Sequence, residues 1–429
     1  MNLRYICKKN ILLPFSHRRS EMKTKIRDYT LAFLLVFLLK IAADAQPACG
    51  FEPQRDPQIE QYTEGYVRNF LRNAQSRTVA RIPVVFHIVW RTAAENVSDA
   101  EIQTQLAAIN RDFRKRNADM SDVPINFARL AADCEIEFCL AQRDVLGRLT
   151  TGVVRQQTNI QNIGSEFADS IHRKIYYSEF NGDNAWNPSN YLNIWVCSFD
   201  GGINGLASSP AKALQRRSED GVVIDYRVFG SGSREGRQRG RTLVHEIGHY
   251  FNLLHIWGSD DTCNDDDEVE DTPQQAAPSS GCPSFPKSSG CGNNGGSMFM
   301  NFMDYSFDEC SQIFSAGQKA RMWATLTGFR ADLLRGLACE PVTATADIAP
   351  EWSVSPNPAR SILTIQLPST GVSTGRKVVL QNAMGQILLE KAAGTEGVEC
   401  NVSTLPNGLY FVTLVVGNQR FMKKIIILK

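Results

Sequence analysis

The chain has 429 residues, with 46 basic and 45 acidic side chains for a formal net charge of +1, and 43% of its residues are hydrophobic. Near-neutrality excludes the basic footprint by which proteins hold nucleic acid, and no phosphate- or dinucleotide-binding glycine pattern stands in a supporting context. The length leaves room for a large core and more than one domain.

Residues 31–39, LAFLLVFLL, form an apolar run preceded by Lys23, Lys25 and Arg27 and followed by Ala43-Asp44-Ala45, a small-x-small cleavage pattern. This predicts a secretory signal peptide over 1–45, with Gln46 the first mature residue and Met22 an alternative start. The run is short for a membrane span, so no integral span is expected. Of the eleven cysteines, Cys7 leaves with the leader and ten remain, bound for an oxidising compartment where disulfides form.

A polar stretch, 46–76, precedes RIPVVFHIVW (81–90), which reads as a strand carrying a structural His87. Ser98 can cap a helix with Ile102, Leu106, Ile109 and Phe113 on one face. CEIEFCL (134–140), YLNIWVCSF (191–199) and GVVIDY (221–226) read as further strands. The order predicts an α/β (α+β) domain with a mixed sheet.

HEIGHYFNLLH (245–255) holds three of the six histidines. On a helix expected over about 241–252, His245 and His249 share one face and can converge on a zinc ion, while Glu246 reaches a water as general base. His255 would lie about 9 Å further along a continuous helix, so the chain must turn back. Asn252 stands where a left-handed residue is needed, and Asn follows Gly as the usual choice there. Three histidines leave one zinc position open, which argues for catalysis over a non-catalytic adhesin or scaffold with a metal site; a zinc hydrolase acting on something other than peptides is not excluded by the helix alone.

From Cys263 to Cys310 the chain reads as loop, with Cys263, Cys282, Cys291 and Cys310 able to pair in three ways. SDDTCNDDDEVEDT (259–272) brings eight carboxylates, a solvated run or a Ca²⁺ loop. KARMWATLTGFRADLL (319–334) reads as a closing helix and 339–352 as a linker. The tail, 353–429, consists of short alternating runs between Gly, Pro and Asn turns and predicts a small all-β, Ig-like sandwich.

HEIGHYFNLLHIWG, the cysteine-bearing loop and NFMDYSFDEC (301–310) together resemble the pappalysin family of metzincin metalloproteases, in particular its bacterial branch, over roughly 46–338. The resemblance implies a secreted zinc endopeptidase acting on protein and peptide substrates, with catalytic domain 77–338. It assigns the Met-turn to Met303 and a metal-assisting phenol to Tyr305. Glu309 becomes the carboxylate of the S1′ pocket, selecting Arg and less well Lys, and the disulfides become Cys263–Cys291 and Cys282–Cys310. A Ca²⁺ ion is implied in the acidic loop, with Asp271 and Thr272 the named ligands. It further implies a propeptide over 46–76 in which Cys49 blocks the zinc as a latency switch, a disulfide being the alternative use of that thiol, and autolysis at Ser76–Arg77. SVSPNPARSILTIQL, GLYFVTL and FMKKIIILK resemble the C-terminal sorting domain of the type IX secretion system of Bacteroidetes, which implies export through that machinery; an adhesive sandwich is the alternative.

Overall fold

The computed structural model describes residues 48–429 except 52–53, 73–77, 146, 233–238, 260–261, 293–294, 336–338, 340–351, 368–375, 383–384, 395–396 and 417–418. The signal-peptide reading and the Ser76–Arg77 bond lie outside the described residues. Among the described residues no helix is long and apolar enough to cross a membrane.

The N-terminal segment is more ordered than its polarity suggested. After strand β1 (Ala48–Cys49) comes helix α1 (Pro57–Arg72). Asp56 accepts from the backbone N–H groups of Gln58 and Ile59 at 2.9 and 3.2 Å, and Pro57 fills the first helical position, where its missing N–H costs nothing. Ile59, Thr63, Tyr66 and Phe70 then recur at steps of four, three and four, and Ile59 and Thr63 are buried. The expectation of a merely polar stretch is corrected: few apolar residues suffice when they share one stripe.

The central sheet is mixed and seven-stranded. It comprises β1, β2 (Ala80–Trp90), β3 (Ile136–Leu140), β4 (Val153–Gln157), β5 (Leu192–Cys197), β6 (Ile203–Ala207) and β7 (Val222–Asp225) in the order β1-β6-β7-β5-β2-β3, with β4 also on β2. β6 runs antiparallel to β7, whereas β1 lies parallel on the outside of β6. β2 and β5 are almost wholly buried, which explains their unbroken apolar runs. Helix α2 (Asp99–Phe113) starts at a reciprocal capping box between Ser98 and Glu101 and buries Ile102, Ile109 and Phe113. His87 is fully buried between Asp183 and Asn193, 2.6 and 3.0 Å from its ring nitrogens, and stacks on Trp195.

Helix α3 (Arg241–Tyr250) ends two residues before the expected 252 because the chain turns left-handed at Asn252. Gly240 precedes it at φ 76° and offers no side-chain cap. The Asp308 carboxylate does that work from across the fold, accepting from the N–H groups of Arg239 and Arg241 at 2.8 and 3.0 Å. The closing helix α4 runs from Ala316 to Thr327, not over 319–334. Ser315 and Gln318 form its capping box, and Gly328 ends it before a short helical turn at 331–335. Cys339, just beyond, is disulfide-bonded to Cys139 in β3.

The tail folds into two antiparallel sheets. One takes the order β11-β10-β13-β14 and the other β12-β9-β8, with ranges β8 (Ser353–Ser355), β9 (Ile362–Gln366), β10 (Arg376–Asn382), β11 (Ile387–Ala392), β12 (Val398–Asn401), β13 (Gly408–Val416) and β14 (Gln419–Ile427). Leu363, Ile365, Val378, Leu380, Val412, Leu414 and Ile425 from both sheets share one apolar core.

Candidate metal centre

His245 and His249 project from one face of α3, one turn apart. Asn252, at φ 71°, reverses the chain so that His255 returns to them. The Nε2 atom of His249 lies 3.0 Å from that of His245 and 3.0 Å from that of His255. The first of these is not a hydrogen bond. His245 Nδ1 donates to the Phe302 carbonyl at 2.7 Å, and His249 Nδ1 donates to the Leu253 carbonyl at 2.8 Å. Both imidazoles, when neutral, therefore carry a lone pair on Nε2. Burial pushes His245 down to about 4 and holds His249 and His255 well below the usual range, so all three are neutral. Two lone pairs on His245 and His249 face each other at 3.0 Å with the third imidazole beside them, and they repel unless a cation lies between them. Neutral imidazoles oriented by carbonyls are the donor set of a zinc site, so these residues fit the ion.

Beside them Glu246 is fully buried; neither carboxylate oxygen makes a well-formed hydrogen bond, and the Cys49 thiol is the polar group that acts on it. An unpaired buried carboxylate is costly, and burial pushes it up to about 8. Strand β6 comes close because of Gly205: a Cβ there would stand 2.8 Å from Glu246 Cγ. Gly248, inside the motif, has a matching reason. A Cβ on it would meet the sulfur of Met303 at 2.4 Å, and Met303 is fully buried beneath the helix. Asn301 Oδ1 accepts from the Met303 N–H at 2.9 Å and clamps that turn. Tyr305 sets its ring edge-on to His255, with centroids 5.0 Å apart, and its hydroxyl donates to the Cys49 carbonyl at 3.5 Å. Burial raises its phenol above the ordinary range, so it stays a donor.

Two aromatic partners escaped the sequence reading. Trp257 stacks on His255 with centroids 4.3 Å apart and planes 7° apart. Phe51 stacks on His249 at 3.8 Å and 7°, and is only 8% exposed. The Phe51 contact joins segments far apart in sequence, which no local pattern encodes.

The segment around Cys49 closes the centre. Its Sγ and the ligand nitrogens of the three histidines lie within 4.8 Å of one another. The backbone is held on β6, where the Gly50 N–H donates to the Gly205 carbonyl at 2.8 Å. The Phe51 N–H donates to the Cys49 sulfur at 3.3 Å. Desolvation and the Glu246 carboxylate push this thiol upward, so a thiolate here requires a nearby cation.

The remaining candidates are dispersed. Glu309 is half-buried beside the Cys282–Cys310 disulfide, and the second staple joins Cys263 to Cys291. Asp271 is committed to the start of α4: its oxygens accept from Ser315 Oγ at 2.6 Å and from the Gly317 N–H at 2.9 Å. The Thr272 hydroxyl has the Asp267 carboxylate at 2.7 Å and the Val269 carbonyl at 2.8 Å as acceptors. Asp267 Oδ2 is buried without a partner. Of the free cysteines among the described residues, Cys134, Cys197 and Cys400 are buried away from this centre.

Residues 176–327 match the family described as pregnancy-associated plasma protein-A, and residues 353–428 match the secretion system C-terminal sorting domain. An extracellular metalloprotease of Arthroderma benhamiae is 40% identical over 134 residues, 30% of this chain and 45% of that protein, so this match spans less than half of the relative's length. One from Sordaria macrospora is 30% identical over 203 residues, 43% of this chain and 70% of that protein. Among solved structures, Tannerella forsythia mature mirolysin with a cleaved peptide is 42% identical, with a TM-score of 0.58, covering 62% of this chain and 100% of that one. A promirolysin mutant from the same organism is 40% identical at a TM-score of 0.58, covering 65% and 91%.

Proposed function

The chain belongs to the pappalysin family of metalloproteases and carries a type IX sorting tail, and from that premise we propose that it is a secreted zinc endopeptidase, latent as described here, that cleaves peptide bonds before Arg or Lys. The observation that carries the reading is the convergence of three imidazole Nε2 atoms, His249 lying 3.0 Å from each of the other two, beside a buried carboxylate without a well-formed hydrogen bond. Zinc bound there would polarise the scissile carbonyl and acidify a water. Glu246 takes the proton of the attacking water and passes it to the leaving amine. Burial raises the proton affinity of this carboxyl, and a zinc ion beside it would offset that rise, leaving it ionised before it takes the proton. The Tyr305 phenol, kept protonated by burial, donates to the developing oxyanion. Glu309 pairs bidentately with a substrate guanidinium more readily than with an ammonium, hence Arg over Lys.

Latency belongs to the same reading. Cys49, close to the three histidines, would take the open zinc position, and the pairing of β1 with β6 would hold it there. Cleavage at Ser76–Arg77, a bond before Arg, would free the enzyme. A Ca²⁺ ion in the acidic loop is part of the proposal, and Asp267, with its unpartnered oxygen, is better placed to hold it than Asp271. The tail would direct export through the type IX machinery, and its two antiparallel sheets around one apolar core support the reading of an Ig-like sandwich.

The test is expression from Gln46 onward as wild type and as Glu246→Ala, held with zinc and calcium, with new N-termini read by mass spectrometry. A terminus at Arg77 in the wild type only is expected. If both chains stay intact and a supplied Arg-containing peptide also survives, the endopeptidase reading fails.

A further inference from the structure

The turn that returns His255 to the metal is not self-supporting. α3 must end, bend through a left-handed residue and reverse within five residues, leaving carbonyls that the helix no longer satisfies. Four consecutive ones receive side-chain donors. The Tyr250 carbonyl accepts from Arg330 Nε at 3.0 Å, that of Phe251 from Thr325 Oγ1 at 3.1 Å, that of Asn252 from Arg321 Nε at 2.7 Å, and that of Leu253 from His249 Nδ1 at 2.8 Å. Three of the four donors come from α4 and the turn that follows it, and all three side chains are buried.

We propose that Arg321, Thr325 and Arg330 are positioning residues for the third metal ligand, and that Arg321 also connects this turn to the N-terminal segment. The proposal rests on the three-histidine reading. Arg321 has the geometry for both tasks. While Nε holds the Asn252 carbonyl, one terminal nitrogen pairs with Glu60 of α1 at 2.7 Å and the other with Glu268 of the acidic loop at 3.1 Å. Arg55 shares Glu268 at 2.8 Å. Loss of 46–76 would remove Arg55 and Glu60 together, one cation and one anion. Arg321 would keep Glu268, and the Asn252 carbonyl would keep its donor in the released enzyme. Lysine cannot replace this arrangement, because a point charge does not present three separated donors in one plane. Arg330 is anchored independently by Asp220 at 2.7 Å and lies over the Tyr250 ring at 3.5 Å.

The experiment uses the chain with its N-terminal segment in the Glu246→Ala background, with Arg321→Lys and Thr325→Val added separately. Zinc affinity is measured by chelator competition, and the visible spectrum of the Co²⁺-substituted protein reports the ligand set. Thr325→Val keeps the side-chain shape, which guards against simple misfolding, and the melting temperature of the metal-free chain is recorded for each. The expected result is zinc binding weaker by about 10–100-fold, the usual cost of losing a group that orients a ligand, with an altered Co²⁺ spectrum. Folded variants that bind zinc like the parent and show its Co²⁺ spectrum would overturn the proposal while leaving the metal site intact. A parent chain that binds no zinc would instead overturn the three-histidine reading and this proposal with it.

Discussion

On the proposed latency, truncating Phe51 to alanine should make the unprocessed chain leak activity. The ring is 8% exposed, lies flat on His249 at 3.8 Å and meets His255 edge-on at 6.1 Å. Its neighbours in the segment hold less. Gly50 gives one backbone hydrogen bond, and Arg55 is 41% exposed, so its ion pairs contribute about 0–1 kcal/mol. Buried Phe→Ala changes cost about 3–5 kcal/mol. Taking the lower figure, the fraction of chains with an uncovered metal rises by about 100-fold, at about 1.4 kcal/mol per decade. Phe51→Leu keeps most of the apolar contact and loses the ring stacking, about 0.5–1.5 kcal/mol, so it should leak only several-fold. The assay is the initial rate on an Arg-containing peptide, taken while mass spectrometry still shows an unprocessed N-terminus. If unprocessed Phe51→Ala is no more active than wild type, the stack contributes nothing to latency, and Cys49, the β1–β6 pairing and the Glu60–Arg321 pair must account for it.

Gly248→Ala should cost about 1–3 kcal/mol by overpacking, because its Cβ would stand 2.4 Å from the Met303 sulfur; thermal melting checks this, and an unchanged melting temperature would remove the steric account of that glycine. Asp308→Ala leaves the N–H groups of Arg239 and Arg241 without their acceptor and should cost about 1–2 kcal/mol, while Asp308→Asn should recover most of it in the same denaturant titration. Replacing Cys139 and Cys339 together by serine opens a loop of sequence separation 200 and should lower unfolding stability by about 2–5 kcal/mol in urea; equal stability would mean that the bridge closes no cost in the unfolded chain.

Much of the metal centre was legible because helical spacing is a local property. The four-residue step from His245 to His249 and the need for a left-handed residue before His255 follow from helix geometry, and Asn252 does adopt φ 71°. Helix α1 was also encoded, by Asp56-Pro57 and the stripe through Ile59, Thr63, Tyr66 and Phe70, but low apolar content concealed it. The start of α4 was written in Ser315 and Gln318. Other features were beyond local reading. Phe51 meets His249, and Asp308 caps a helix that begins at Arg241, only because the fold joins distant segments. Asp271 shows the same limit from the other side: its place in an acidic run is equally compatible with binding an ion and with capping a helix, and its oxygens are taken by Ser315 and Gly317. The partner of Cys139 depends on which Cα atoms the fold brings together, here 5.7 Å apart for Cys339.

The Cys139–Cys339 bridge also decides how the enzyme responds to being pulled. The tail follows Cys339 in the chain, so tension applied through the tail reaches the catalytic domain at that residue. From there the disulfide offers a covalent route into edge strand β3, which is paired along five residues with β2. Load carried this way bypasses α4 and the donors it sends to the turn at Asn252. With the bridge intact, such load is shared with the sheet, whereas in the reduced protein it would pass first through α4 and the donors that α4 sends to the turn at Asn252.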